Sequence, residues 1–254
     1  MIYVTGDTHG CFGRFEDSMF YETPMTREDY VIVLGDFGGI WDNEKFMLLD
    51  KENAVLDALT RKPFTILFID GNHENFDRLY EFPVEEWRGG KIHKIRENIF
   101  HLMRGEIFNI ENKKFFVFGG AASHDIEDGI IAMDNDDEWI EKVVELREHG
   151  QNRFRIKGLS WWEQEMPSAE EKENGLRNLS NCNNKVDFIL SHCGPQQAVS
   201  ELSYGSFEPD ALTTYLASIA SSTKYEKWFF GHYHCNKWLS NKFVVLYDKI
   251  IRIN

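Results

Sequence analysis

Seven side chains able to ligate transition metals fall in five short stretches: Gly6-Asp7-Thr8-His9-Gly10, Gly35-Asp36, Gly71-Asn72-His73-Glu74, Ser191-His192 and Gly231-His232-Tyr233-His234. A carboxylate and an imidazole two residues apart on a loop can both turn inward, so Asp7 and His9 form half of a site for a borderline divalent metal. His232 and His234 repeat that spacing. Two cations held roughly 3.5–4 Å apart need a shared oxygen ligand, and a carboxylate with two oxygens suits the role. Asp36 is the natural bridge, with Gly35, Gly38 and Gly39 leaving room for backbone and substrate to approach. Hydroxide trapped between such cations is a nucleophile at neutral pH, because coordination lowers the pKa of water from 15.7 to about 7. The pattern points to two-metal attack on a phosphoester, in line with the leaving oxygen.

The elements that must position these groups are legible just upstream of them. Ile2-Tyr3-Val4, Val31-Ile32-Val33-Leu34 and Ile66-Leu67-Phe68-Ile69 are apolar runs rich in β-branched and aromatic residues, and each reads as a buried strand ending in a polar group. Val186-Asp187-Phe188-Ile189-Leu190 before His192 and Trp228-Phe229-Phe230 before His232 read the same way. Strand ends gather on one edge of a sheet, so residues distant in sequence can converge there.

In order and spacing these stretches resemble the calcineurin-like metallophosphoesterase superfamily, whose pattern is DxH, GD, GNH[ED], a lone H and GHxH. The match runs from Asp7 to His234. The resemblance implies a fold of two mixed β-sheets packed as a central sandwich flanked by helices, an α/β arrangement in four layers. It implies that Asp7, His9, Asp36 and His234 hold one metal while Asp36, Asn72, His192 and His232 hold the other. Imidazole and carboxylate ligands suit manganese, iron, nickel or zinc, with manganese the first expectation. His73, beside Asn72, is the expected acid for the leaving group. Against the protein serine/threonine phosphatase branch, which extends the second motif to GDxVDRG, this chain reads Gly35-Asp36-Phe37-Gly38-Gly39-Ile40-Trp41. Gly39 and Ile40 stand where that branch has an Asp and an Arg, so His73 needs another orienting carboxylate, with Glu74 and Asp42 in view. Phosphate must be gripped by another group or by the metals alone.

A chain of 254 residues, 42% apolar, can build a sizeable core, and motifs running from end to end favour a single domain over 1–254. No apolar stretch approaches the ~20 residues that span a membrane, and no cationic leader precedes an apolar run, so a cytoplasmic protein without membrane association is expected. With 42 acidic against 28 basic residues and a net charge of -14, non-specific binding to duplex nucleic acid is disfavoured. The run Asp134-Asn135-Asp136-Asp137-Glu138 reads as solvated surface. Four cysteines without a CxxC pair give no disulfide framework, although Cys11, Cys193 and Cys235 lie within two residues of expected ligands.

Between the motifs, Phe46, Leu49, Ala54, Leu56 and Leu59 mark an amphipathic helix over 43–62. Short apolar runs over 91–119 form a meander that makes or extends a second sheet. Residues 119–182 are the expected substrate-selecting insertion. It opens with Gly119-Gly120-Ala121-Ala122-Ser123-His124-Asp125, too small-residued for core and expected to pass near the substrate or metals. A charged helix over 136–149 presents Trp139, Val143 and Leu146 on one face, and Ser168-Ala169-Glu170-Glu171 is a capping box opening another helix. Trp161 and Trp162 read as packing, one buried and one partly exposed, or as a stacking platform for a flat leaving group. The sequence therefore predicts a dinuclear-metal phosphoesterase acting on a small phosphodiester or nucleotide-like substrate. The alternatives are a protein or polynucleotide-end phosphatase and a catalytically silent metal-binding scaffold.

Overall fold

A computed structural model describes residues 1–16, 24–41, 49–133 and 138–253. One sheet gathers β1 (Ile2–Thr5), β2 (Tyr30–Val33), β3 (Thr65–Phe68), β4 (Val84–Trp87), β5 (Gly90–Arg96), β6 (Ile99–Leu102) and β15 (Ile250–Ile253) in the order β15-β1-β2-β3-β6-β5-β4. The other gathers β7 (Ile107–Ile110), β8 (Lys113–Phe118), β11 (Phe188–Ser191), β12 (Lys227–Phe230), β13 (Lys237–Leu239) and β14 (Phe243–Val245) in the order β13-β14-β12-β11-β8-β7. Within the first, β1, β2, β3 and β6 pair parallel, and within the second, β8, β11, β12 and β14 do. A short parallel ribbon, β9 (Gly129–Ile131) with β10 (Phe154–Ile156), stands apart.

Period-two alternation sorts each parallel strand between two cores. Ile2, Val4, Ile32 and Leu67 from the first sheet meet Phe115, Val117, Phe188, Leu190, Phe229 and Val244 from the second. Their neighbours Tyr3, Val31, Val33, Ile66 and Phe68 face outward onto Leu56 and Leu59 of α1 (Leu49–Thr60) and onto Phe76 and Leu79 of α2 (Phe76–Leu79). On the far side, Phe116, Phe118, Ile189, Trp228 and Phe230 pack with Leu179 of α4 (Ala169–Asn181), with Ala198 of α5 (Gln196–Ser203) and with Leu212, Leu216 and Ile219 of α6 (Ala211–Ser222). The expected α/β architecture, two mixed sheets with helices outside, is the observed one. Strands buried on both faces explain why the sequence shows continuous apolar runs there rather than alternation with polar residues.

The 91–119 meander departs from expectation by dividing. β5 and β6, with β4 before them, extend the first sheet, while β7 and β8 open the second. The chain changes sheets at Met103-Arg104-Gly105-Glu106, where Gly105 takes φ 77° and a Cβ would press on the backbone of Gly175. A period-two pattern is the same in either sheet, so the sequence cannot announce this crossing.

Helix α1 begins at Leu49 in the described chain, and residues 43–48 of the expected helix, with Asp42, lie outside the described residues. So do residues 134–137 of the acidic run. The charged helix is present as α3 (Glu138–Glu148), with Val143 buried and Trp139 and Leu146 half-buried. Ser168 caps α4 through a reciprocal box with Glu171. Trp162 is buried against Trp41 and donates its indole N–H to Asp77 at 2.8 Å, whereas Trp161 is half-exposed, which is the packing reading of this pair.

Candidate metal centre

All five ligand stretches leave the carboxyl ends of parallel strands, three from the first sheet and two from the second. Asp7 lies beyond β1, Asp36 beyond β2 and Asn72 beyond β3, while His192 follows β11 and His232 follows β12. The two sheets are tied together at this edge by the expected ligands themselves. His192 Nδ1 donates to the Leu34 carbonyl at 2.7 Å, and the His232 amide donates to Asp7 Oδ1 at 3.0 Å. Two glycines permit the approach. A Cβ at Gly35 would collide with the His192 ring, and one at Gly71 would collide with Asp36 Oδ1. His9, Asp36, His232 and His234 all take left-handed backbone angles, φ 44°, 47°, 66° and 46°. Such angles are uncommon for residues with a Cβ and concentrate where a side chain must be aimed.

Asp7, His9, Asp36 and His234 bring one ligand atom each to within 4.8 Å of one another. His9 Nε2 faces His234 Nε2 at 3.0 Å and lies 3.6 Å from Asp36 Oδ2. Asp7 Oδ2 is buried and accepts no hydrogen bond, while His234 Nε2 stands 3.2 Å and His9 Nε2 3.9 Å away. A buried carboxylate oxygen left without a donor is costly, and lone pairs from four groups aimed at one point suit a divalent cation.

The second group is assembled more deeply. His192 is fully buried, its Nε2 lying 3.2 Å from Asn72 Oδ1 and 3.4 Å from Asp36 Oδ1. Because Nδ1–H is committed to the Leu34 carbonyl, the Nε2 lone pair is the one turned to the site, the arrangement usual for a ligating imidazole. Asn72 donates its amide to Ser123 Oγ at 3.2 Å, and Ser123 donates in turn to Glu165 Oε2 at 2.6 Å, so the Asn72 carbonyl is the end presented. The His232 ring lies 5.1 Å from that of His192. Burial lowers the pKa of the His232 imidazole well below its usual value. Burial would also lower His192, but the adjacent Asp36 carboxylate raises it to about 10, and His192 in turn holds Asp36 well below the carboxylate range despite burial. In the absence of a cation, the positive charge this pocket demands falls on His192.

His73 is half-buried beside the first group, its ring 5.7 Å from that of His9, and its amide donates to Asp36 Oδ1 at 2.8 Å. Burial lowers its pKa, with Arg155 and His9 adding to the effect and Asp36 opposing it. Glu74 does not stand as its orienting partner. Its Oε1 accepts from the amides of Phe37 at 2.8 Å and Gly71 at 3.4 Å, stapling two ligand loops, and burial beside Asp36 pushes it up to about 8. Ile40, in the place of the absent arginine, is buried in core and cannot reach the site.

Two grooves border the cluster. One, of about 420 Å³, is lined by His9, Gly38, Trp41, His73 and Arg155. The other, also about 420 Å³, is lined by His124, Leu202, Phe207, Tyr233 and Cys235 together with His232 and His234. His124 thus stands at the site, 5.4 Å ring to ring from His232 and stacked on Phe207. The stretch 119–125 passes close to the ligands as its small residues suggest.

Sequence reasoning missed Arg155, Asp70 and Glu165, and reached Ser123 and Asp125 only as part of the stretch expected near the site. Asp70, immediately before the third motif, is buried, accepts from His101 and Arg104, and its carbonyl accepts from the Gly120 amide at 3.0 Å. Arg104 also reaches the Gln164 carbonyl at 2.7 Å, anchoring the 119–182 segment beneath the site. An acidic residue after a strand was the one available signal for Asp70, and for Arg155 and Glu165 there was none.

The calcineurin-like phosphoesterase family profile matches residues 1–236. Among solved structures, a phosphopantetheinyl hydrolase from Mycobacterium tuberculosis aligns with 97% of this chain and 89% of its own, at 14% identity and a TM-score of 0.40. No curated protein matches the chain in sequence.

Proposed function

We propose, from the premise that this chain belongs to the calcineurin-like phosphoesterase family and is a metal-dependent phosphoesterase, that it hydrolyses a small phosphodiester or nucleotide-like phosphoester at two divalent ions. Asp7, His9, Asp36 and His234 hold one ion, and Asp36, Asn72, His192 and His232 the other. When bound, such ions make coordinated water acidic and offset charge building on the phosphoryl oxygens. The buried Asp7 Oδ2, faced by His234 and His9, and the His192 Nδ1–H held by the Leu34 carbonyl support this donor set. His73 stands over the groove as the proton donor to the leaving oxygen.

The observation that carries the substrate reading is the pair of grooves. The ligand cluster lies between the His73 side and the His124 side, so a phosphorus at the metals has space for an ester arm in each direction. A monoester uses one of them. The aromatic lining of the second groove, Phe207 and Tyr233 stacked 6.0 Å apart, supports a flat group on that arm. Residues 119–182 supply Ser123, His124 and Arg155 to this region and act as the selecting segment of a single domain. A small-molecule substrate and a cytoplasmic setting complete the reading, supported by the net charge of -14 and four free cysteines.

Turnover of an aryl phosphodiester and of the matching monoester by manganese-loaded protein tests it, with Asp36→Asn as the blank. A diester preference supports the proposal. A monoester preference moves the reading to a protein or polynucleotide-end phosphatase, and activity equal to the blank on both would leave a silent metal-binding scaffold.

A further inference from the structure

Arg155 sits on β10 of the inserted ribbon, yet its side chain lines the same groove as His9 and His73. Asp125 grips its guanidinium from one side, with Nε donating to Oδ1 at 3.0 Å and Nη2 donating to Oδ2. That fork uses the Nε–Nη2 edge. A guanidinium carries five N–H donors, and the opposite edge, Nη1 with the second N–H of Nη2, is left without a protein partner among the described residues. Arg155 is about a quarter exposed and lines the groove. Among the described residues of the second-motif loop none competes for the role, because Gly39 has no side chain and Ile40 is in the core. The ribbon that carries Arg155 is itself fixed. Asp128 Oδ2 accepts the Arg153 amide at 2.8 Å, the Asp128 amide donates to the Arg153 carbonyl at 2.8 Å, and Arg153 Nη2 holds the His124 carbonyl at 3.0 Å.

We infer that Arg155, held by Asp125, is the phosphate-gripping residue of this site, and that the pair selects a singly charged phosphodiester over a doubly charged monoester. The selection follows from charge. A paired planar fork still offers two parallel donors to phosphoryl oxygens, but Arg155 and Asp125 together carry no net charge. A diester accepts those donors without meeting extra repulsion, whereas the second negative charge of a monoester faces the Asp125 carboxylate and gains no net attraction from the pair. Asp125 is therefore a positioning residue that also discriminates, and Arg155 is the group that touches substrate. The inference rests on the phosphoester reading of the site.

The test compares parent, Arg155→Ala, Arg155→Lys and Asp125→Asn, all manganese-loaded, on the aryl diester and monoester, with direct calorimetric titration of inorganic phosphate alongside. Removing the fork is expected to raise KM for the diester and weaken phosphate binding by about tenfold or more, with a smaller change in kcat. Lysine, a point charge without the fork, restores phosphate binding in part but not the diester KM. Asp125→Asn frees the positive charge, so phosphate binds more tightly and the diester-to-monoester ratio of kcat/KM falls. Parent activity with KM and phosphate affinity in Arg155→Ala within twofold of the parent overturns the role of Arg155, and an unchanged ratio in Asp125→Asn overturns the selection. A parent that turns over neither ester contradicts the phosphoester reading itself, an outcome distinct from both.

Discussion

His192 and His234 are both imidazoles on loops that leave neighbouring parallel strands of the second sheet, yet one has no exposed side-chain surface and the other is 52% exposed. The buried ring is oriented by the Leu34 carbonyl on one nitrogen and faces Asn72 on the other. The exposed ring is placed by a left-handed backbone, a stack on Tyr247 with centroids 4.6 Å apart, and the Asp7 carboxylate. One half of the site is built into the core, and its ligands cannot leave without disturbing packing. The other half, with His9 also a third exposed, borders solvent, and an ion held there would be the more readily exchanged of the two. Asp36 belongs to both halves and is where they are coupled.

The largest expected effect is therefore at Asp36. Asp36→Asn keeps the shape of the side chain but removes the shared charge, and the loss of kcat/KM is expected to reach at least about a hundredfold, the scale of one electrostatic catalytic group. Bound metal, measured by elemental analysis after dialysis, falls in both halves. An effect confined to one half would break the idea of a bridge.

Next come the two histidines, which separate the halves. His192→Ala leaves a cavity, an unpartnered Leu34 carbonyl and a buried Asp36 carboxylate deprived of its closest imidazole. It is expected to cost about 2–3 kcal/mol, or roughly 5–10 °C in Tm of the metal-free protein. His234→Ala changes the metal-free Tm little, within about 0.5 kcal/mol as for surface substitutions, while still weakening metal binding. Equal Tm changes in differential scanning fluorimetry would erase the contrast.

Ser123→Ala probes the chain from Asn72 to Glu165. It removes the acceptor that fixes the Asn72 amide, so weaker binding of one ion by about tenfold is expected, with the other ion unaffected. Metal titration of the variant reads this directly.

The smallest effect lies away from the cluster, in the His93–His101–Asp70 stack. His101 Nε2 meets Asp70 Oδ1 at 3.0 Å and its Nδ1 meets His93 Nδ1 at 2.9 Å. Burial, reinforced by His101, lowers the pKa of His93 from 6.5 to about 3. The unfolded chain takes up a proton as pH falls through 6.5, while folded His93 resists until about 3. Its contribution is thus fully present above pH 6.5 and lost on acidification through that window. His93→Asn, which keeps a donor toward His101, is expected to flatten the acid limb of a Tm-against-pH curve, and an unaltered slope would remove His93 from this role.

The same contrast explains what the sequence makes visible. Asp7, His9, Asp36, Asn72, His192, His232 and His234 are legible because each sits in a short loop whose glycines and preceding strand are local features. The capping box at Ser168 is legible for the same reason. The partners that orient these groups are not. Leu34 acts through its carbonyl, which no side-chain pattern records. Arg155 and Ser123 reach the site from a segment whose route depends on Arg104 and Trp162, contacts that join residues far apart in sequence. The division of the 91–119 meander between two sheets was hidden because alternation is identical in both.

Titration of metal-free protein with manganese, followed by calorimetry on the parent and on His234→Ala, tests the two unequal halves most directly. The account predicts two binding events of different affinity in the parent and retention of one, in the buried half, when His234 is removed. A single event or none in the parent, or loss of all binding in His234→Ala, would contradict it.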